Sequence, residues 1–119
     1  EERARREAGW AEGVSLVLGR WTALQLAVEN RWGGDGAEQR AAELAALVGK
    51  FVHKDKGALA ANEVEDFLED CLDEGFNLQV EDGSISEVAA LLLALYDELV
   101  NRGDAAGLAK LREAREVQR

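Results

Sequence analysis

The chain has 119 residues, of which 47% are hydrophobic and 32% charged, with no proline, one cysteine and a net charge of −10. This length suits one domain with its own core, and the composition favours helix. No apolar run reaches the roughly 18 residues of a membrane span, and the charged start EERARREAG does not resemble a signal peptide. A single cysteine excludes an internal disulfide, which fits a reducing compartment. Because the chain starts in mid-pattern without Met, we expect it to be part of a longer protein.

The negative charge is concentrated in one segment. Between Lys56 and Arg102 there are twelve acidic residues and no Lys or Arg, so the rest of the chain has a small positive excess. Such a segment repels nucleic acid and attracts basic partners. Acids that serve only solubility would give the same composition, and composition alone does not separate the two interpretations.

The spacing of apolar residues predicts a first helix over residues 7–31. Its apolar stripe comprises Trp10, Val14, Val17, Trp21, Leu24 and Val28. The predicted helix ends at NRWGG, because glycine adopts the left-handed conformation of a helix C-cap at little cost. Trp32 is then expected to fold back over the core, with Gly33 and Gly34 reversing the chain beneath its ring.

A second helix is predicted over residues 37–53, and a third opens at NEVE, where Asn62 and Glu65 have the spacing of a capping box. At about 100° per residue the third helix has an apolar arc, which includes Cys71 as a small core residue. The opposite arc contains seven carboxylates and no cation: Glu63, Glu65, Asp66, Glu69, Asp70, Asp73 and Glu74. Like charges at this spacing repel by a few tenths of a kcal/mol per pair. The arc therefore indicates either a firmly held helix or a cationic partner.

Beyond the third helix, the alternation of Phe76, Leu78 and Val80 predicts a short extended link. EDGS, which contains Glu81 and Asp82, is typical of a turn.

Two more helices are predicted after this turn. Ser84 and Glu87 have capping-box spacing for a fourth helix over 85–101, and Asp104 can cap a fifth over 105–117. The fifth has few apolar residues, so we expect residues 103–119 to be weakly packed. The sequence thus predicts an all-α fold, with residues 1–119 forming a single compact domain of about five helices.

No motif of a catalytic or metal site is present. GGDG lacks the Gly-Lys-Ser/Thr of a phosphate loop, and DEGFN and EDGSISE lack the ligand spacing of a calcium loop. The one histidine, His53, has no cysteine or second histidine near it in the sequence, as a zinc site would require. The chain also lacks the nucleophile-elbow motif of a serine hydrolase, with which a histidine would act. We expect no enzymatic activity, no metal and no cofactor.

Three blocks of the sequence together resemble one family. WTALQLAVENRWGG closely resembles the WGG motif of eukaryotic pre-rRNA-processing proteins, and NEVEDFLED and FNLQVEDGSISEVAALL match that family's other two blocks in order. The resemblance covers about residues 10–102. It implies an all-helical, non-enzymatic escort of a small, very basic, zinc-binding protein of the small ribosomal subunit, number twenty-six of the eukaryotic series. Family members take this cargo from its nuclear import receptor to the pre-ribosome, which implies a location in nucleus and cytoplasm, and they also carry an acidic C-terminal tail.

The acidic segment agrees with such a cargo, whose Lys and Arg are meant for rRNA phosphates. Arg–carboxylate pairs would weaken with salt and would need an apolar anchor beside them. Trp32 is our candidate for that anchor or its support, with a ring that only caps the core as the alternative. The candidate partner-binding residues are Trp32, Gly33, Gly34, Glu63, Glu65, Asp66, Glu69, Asp70, Asp73, Glu74, Glu81 and Asp82.

For the other residues we expect Trp21 in the core, Trp10 partly exposed and Asp82 mainly in the turn. We expect a monomer that binds its cargo one-to-one and contacts neither nucleic acid nor membrane directly. The alternative is a helical scaffold or self-association module, which predicts salt-insensitive association through uncovered leucines of the fourth helix. A calcium-responsive module is a further alternative, which predicts a calcium-dependent melting temperature.

Overall fold

The structure is a computed structural model that describes residues 1–117, with side chains as far as residue 115. Its elements are α1 (Glu2–Gly19), α2 (Thr22–Glu29), α3 (Ala37–Lys54), α4 (Ala61–Phe76), α5 (Ser84–Tyr96), a π-helical turn that continues α5 (Asp97–Asn101), and α6 (Ala106–Val117). Over the described part of the chain every regular element is helical, which confirms the all-α fold. No helix in that part is long and apolar enough to cross a membrane.

The single helix expected over residues 7–31 is in fact two helices, so this prediction was wrong. Trp21 separates them with an extended backbone, at φ −79° and ψ 104°. The carbonyl of Leu18 accepts hydrogen bonds from Trp21 N at 3.2 Å and from Gln25 Nε2 at 3.0 Å. This carbonyl in the last turn of α1 therefore has hydrogen-bond partners although the helix ends there. Trp21 Nε1 also donates to Ser84 Oγ at 2.8 Å, which fixes the break against α5.

α1 lies at the centre of the domain and packs against α3, α5 and α6. Gly13 allows α5 to approach closely, because a Cβ there would lie 2.7 Å from Cδ2 of Leu95. The fully buried larger side chains are Val14, Val17, Leu24, Val48, Val52, Val64, Leu68, Leu72, Phe76, Leu92 and Tyr96. The predicted second helix, now α3, and the apolar arc of the predicted third, now α4, both contribute to this core.

Trp10 is buried, so the expectation of partial exposure was wrong. Its side chain is 4% exposed. The ring packs edge-on against Tyr96, with centroids 5.0 Å apart, and its Nε1 donates to the carbonyl of Gly49 at 3.1 Å. These contacts join α1, α3 and α5 at one point.

α4 begins at Ala61, two residues earlier than the predicted Asn62 cap implies, and it is capped differently. Asn62 lies inside the helix, and the backbone N–H of Ala60 donates to Glu63 Oε2 at 3.0 Å. Glu65 instead accepts a hydrogen bond from Ser86 Oγ of α5 at 3.1 Å. The predicted Asn62–Glu65 capping box was therefore wrong, because the chain enters the helix at Ala60.

The start of α5 also differs from its predicted capping box. Ser84 is the first helical residue, and its backbone N–H donates to Asp82 Oδ1 at 2.9 Å. The carboxylate of Asp82 thus accepts a bond from the first backbone N–H of the helix, whereas a capping box of Ser84 and Glu87 was predicted there. The link over 77–83 contains no strand, although Leu78 points into the core as predicted.

α6 begins one residue later than predicted, and the N–H of Ala106 donates to Asp104 Oδ1 at 2.9 Å, so Asp104 does bond to the start of the helix. Leu108 and Leu111 are 3% and 7% exposed. Arg112 of α6 forms two hydrogen bonds to the Glu12 carboxylate of α1, at 2.7 and 2.5 Å. How weakly the C-terminal region is held stays a prediction, and the side chain of Val117 lies outside the described side chains.

Candidate partner-binding site

α4 presents most of its carboxylates to solvent. Glu65 is partly buried, and the exposed ones are Glu63, Asp66, Glu69, Asp70, Asp73 and Glu74. Among residues 1–115, no Lys, Arg or His nitrogen lies within 4.0 Å of any of these seven carboxylates; the ion pairs there all involve other acids. The negative charge of this helix is therefore not neutralised within the described part of the molecule.

The seven acids do not share one environment. Glu63 is used in the N-terminal cap, and Glu65 is bonded to Ser86. Because about 100° separates successive residues, Glu69 lies on the same side as Glu65, toward α5. The remaining four form the outer surface, which we call the acidic face: Asp66, Asp70, Asp73 and Glu74.

The WGG turn is built around a residue that the sequence did not single out. Asn30 is the C-cap of α2, and Arg31 after it adopts the left-handed conformation, at φ 53°. The N–H of Trp32 then returns to the carbonyl of Ala27 at 3.1 Å, as in a Schellman motif. The prediction that a glycine caps this helix was wrong. Gly34 does have a positive φ, 91°, but it lies beyond the cap.

Gly33 is needed for contact rather than for its own backbone angle. A Cβ at this position would lie 2.5 Å from the carbonyl oxygen of Gly75 and 3.0 Å from Cα of Phe76. The turn therefore packs directly against the C-terminal end of α4, next in the chain to Asp73 and Glu74. The structure thus brings the WGG turn and one end of the acidic face together.

Arg40 of α3 holds this junction, and sequence reasoning missed it. Its Nε donates to the carbonyl of Gly75 at 2.9 Å, while Nη1 and Nη2 donate to the carbonyls of Asp35 and Gly34 at 2.6 and 3.2 Å. Its guanidinium carbon lies 5.8 Å from the ring centroid of Phe76. A cation at the C-terminal end of α4 is also favoured by the helix dipole. The only signal in the sequence was an arginine within an otherwise mixed helix face.

The three tryptophans have different environments. Trp10 and Trp21 are each 4% exposed and each donate a hydrogen bond, whereas Trp32 is 49% exposed. The core position of Trp21 is confirmed. Half of the Trp32 surface is open to solvent, and the turn that carries the ring packs against the end of α4 through Gly33.

The turn before α5 also contains two candidate residues, both exposed. Hydrogen bonds from Ser84, first the hydroxyl and then the backbone N–H, lower the pKa of Asp82. Asp82 is thus occupied in the local turn, while Glu81 has no side-chain hydrogen bond among the described residues.

His53 and Cys71 belong to the packing of the helices. His53 Nδ1 lies 2.7 Å from the Tyr96 hydroxyl. Cys71 is partly buried, and burial, followed by the charges of Glu74 and Asp70, raises the pKa of its thiol. Among the side chains of residues 1–115, no three His, Cys, Asp or Glu are grouped so that they could hold a metal ion.

Comparison with known proteins identifies relatives across most of this domain. The profile of the WGG family, described as pre-rRNA-processing protein TSR2, matches residues 10–90. The human pre-rRNA-processing protein TSR2 homolog is 37% identical over 99 residues, which cover 83% of this chain and 51% of that protein. The Danio rerio homolog is 33% identical over 89 residues, covering 75% and 49%. Pre-rRNA-processing protein TSR2 of Saccharomyces cerevisiae is 32% identical over 97 residues, covering 82% and 47%.

The chain spans about half the length of the curated relatives it matches. The matched region contains the WGG turn, Arg40 and all of α4, so the junction described above lies inside it. The chain belongs to the WGG family of TSR2 pre-rRNA-processing proteins.

Proposed function

We propose that this domain serves ribosome biogenesis as a non-enzymatic escort, which binds a very basic protein of the small ribosomal subunit, number twenty-six of the eukaryotic series. The observation that carries the proposal is the acidic face of α4, whose carboxylates have no cation beside them among residues 1–115. Family membership supports the ribosomal setting, and the sign of the charge supports the class of partner.

The free acidic face is electrostatically unfavourable. Its carboxylates lie three or four residues apart, a spacing at which like charges repel. Asp73 and Glu74 also lie in the last turn of α4, where the helix dipole disfavours negative charge. A cationic partner relieves both effects, so part of the binding energy comes from removing repulsion that the free domain already contains.

The dimensions suit a segment rather than a single ion. From Asp66 to Glu74 the helix rises about 12 Å, at about 1.5 Å per residue. Each exposed pair contributes only about 0.2–1 kcal/mol, so several pairs are required, and their main effects are faster encounter and salt dependence.

The finer steps belong to the same proposal. The domain acts as a monomer with one cargo molecule, takes it from its import receptor, and delivers it for pre-rRNA processing and small-subunit assembly between cytoplasm and nucleus. The acidic face repels phosphate groups, which supports the absence of direct contact with nucleic acid or anionic membranes.

Calorimetric titration with the purified, zinc-loaded ribosomal protein at about 0.1 and 0.5 M salt tests this function. We expect one-to-one binding that weakens at the higher salt. The variant Asp66→Lys/Asp70→Lys/Asp73→Lys reverses three of the four charges of the face and leaves Glu74 and the capping Glu63 in place. Failure of the unmodified chain to bind at low salt would overturn the proposed function.

A matched control carries the same change in net charge elsewhere. Three exposed acids of other helices are reversed together: Glu38→Lys, Glu87→Lys and Glu113→Lys. We expect the control to lose much less affinity than the α4 variant, with helicity of both followed by circular dichroism. Equal losses would mean that net charge alone matters and that α4 is not the site.

The alternative, a self-association module, has one observation in its favour. Leu91 of α5 is 40% exposed, although Leu92, Leu95 and Leu99 are buried. Self-association through such residues would be insensitive to salt. Sedimentation of the chain alone at both salt concentrations separates the two functions, since the escort remains monomeric in each.

A further inference from the structure

A strip of apolar side chains lies along the outer seam between α3 and α4. Phe51 and Phe67 stack with ring centroids 4.1 Å apart and planes 5° from parallel, and both remain partly exposed. At the other end of the seam, Arg40 bonds the carbonyl of Gly75, so the two helices run antiparallel.

The strip continues for one more turn on each helix. Leu47 lies four residues before Phe51, and Cys71 four residues after Phe67, so both face the same seam. Leu47 is 53% exposed, more than any other large hydrophobic side chain of the described residues. We call Leu47, Phe51, Phe67 and Cys71 the apolar seam.

The α4 edge of the seam is negatively charged. At about 100° per residue, Asp70 and Glu74 project within about 60° of Phe67, on its solvent side. Their charges also raise the pKa of Cys71, second to burial, which agrees with their closeness to the seam. The α3 edge carries one acid, Glu43, and two bases, Lys50 and Lys54, so the negative charge lies on the α4 edge alone.

We propose that the apolar seam binds the apolar side chains of a cationic amphipathic segment of the partner protein, whose Arg or Lys residues pair with Asp70 and Glu74. This inference rests on the proposed function and places the anchor between α3 and α4 rather than at Trp32 alone. In a helical segment, apolar residues four apart would rise about 6 Å, which equals the separation of successive layers of the seam.

Charge complementarity selects this occupant over two others. A second copy of the chain, related by a two-fold axis that crosses the seam, would bring its own Asp70 and Glu74 against the first pair. An axis along the seam would instead place them against the α3 edge, and sedimentation of the chain alone tests that arrangement. A membrane surface with anionic headgroups would meet the same repulsion. A cationic amphipathic segment gains from both the apolar strip and its acidic edge.

The variant Leu47→Ala tests the seam without disturbing the fold, because the side chain is exposed and alanine is a good helix former. We expect the dissociation constant for the purified, zinc-loaded ribosomal protein to rise about tenfold. The factor should be equal at low and raised salt, since the lost contact is apolar. Leu91→Ala, at a residue 40% exposed on α5, is the matched control and should leave the constant unchanged.

The double variant Asp70→Asn/Glu74→Gln tests the charged edge. We expect weaker binding at low salt together with a smaller loss of affinity as salt rises. Unchanged salt dependence would overturn the pairing with these two carboxylates.

Photo-crosslinking identifies the segment bound. With benzoylphenylalanine in place of Leu47, we expect a crosslink to a cargo peptide that contains both apolar and basic residues, and no crosslink from the same group in place of Leu91. If the unmodified chain binds while Leu47→Ala binds equally well, the seam is not the anchor and only the inference fails. If the unmodified chain does not bind at low salt, the proposed function fails as well.

Discussion

Replacing Gly33 with alanine tests whether the WGG turn depends on main-chain contact with α4. The new Cβ would lie 2.5 Å from the Gly75 oxygen, 3.0 Å from Cα of Phe76 and 2.8 Å from Nη2 of Arg40. Two of these neighbours are backbone atoms, so the turn or the end of α4 must shift. Overpacking of this kind costs about 1–3 kcal/mol, and weakening the 2.9 Å bond from Arg40 Nε to Gly75 adds to it. We expect a loss of about 2–4 kcal/mol in the free energy of unfolding.

Urea unfolding followed by circular dichroism and tryptophan fluorescence measures this loss, with comparison of the m-values. Gly75→Ala is the matched control, because it lies across the same contact but a Cβ there meets no atom within 4 Å. Since Gly75 is inside α4, we expect that change to be neutral or to stabilise by up to about 1 kcal/mol. A Gly33→Ala variant within about 0.5 kcal/mol of the unmodified chain would refute the reasoning.

Three further predictions concern single side chains. Alkylation of Cys71 by iodoacetamide should have its pH midpoint above that of a free cysteine peptide, because burial first and adjacent carboxylates second raise the thiol pKa. Glu74→Gln should lower this midpoint only slightly. A midpoint equal to that of the free peptide would contradict the prediction. The hydrogen bond from Arg112 lowers the pKa of Glu12, so the pair stabilises the fold above the ordinary carboxyl pKa and ceases to do so as pH falls through the lowered one. Glu12→Gln should therefore cost under about 1 kcal/mol at neutral pH, and urea unfolding should show that difference vanish in acid. Trp32→Ala should change the free energy of unfolding by less than about 1.5 kcal/mol, because the ring is 49% exposed. The same change should weaken cargo binding about tenfold in calorimetry. A large loss of stability with unchanged binding would assign the ring to the core.

Helices with a clear apolar period could be predicted from the sequence, whereas the interruption at Trp21 could not. Val17, Trp21 and Leu24 remain on one stripe across the break, so periodicity gave no sign of it. The break is fixed by the bond from Trp21 to Ser84, which is 63 residues away. The apolar periodicity of a single helix carries no information about a contact with a distant part of the chain.

The predictions of two helix ends were wrong for a related reason. Residue preference favoured glycine at the end of α2 and asparagine at the start of α4, yet Arg31 has the left-handed backbone and Glu63 supplies the cap. Preferences of about 1 kcal/mol per cap are small enough for packing to move a boundary by one or two residues.

The acidic face could be predicted because a helical wheel of α4 is sufficient to find it. The apolar seam and the Arg40 junction could not, since each depends on how α3 lies against α4. Leu47 and Cys71 are unremarkable on their own helices, and only the antiparallel pairing places them side by side.

The three acceptors of Arg40 are all main-chain carbonyls, at Gly34, Asp35 and Gly75. The contact therefore places no demand on the identity of the Asp35 side chain, and open space surrounds the Gly75 position. Substitutions at positions 35 and 75 are therefore compatible with the same shape of the turn. Loss of the one guanidinium would remove three bonds at once. The shape of the WGG turn is thus encoded partly outside the motif, at a residue six positions beyond its last glycine.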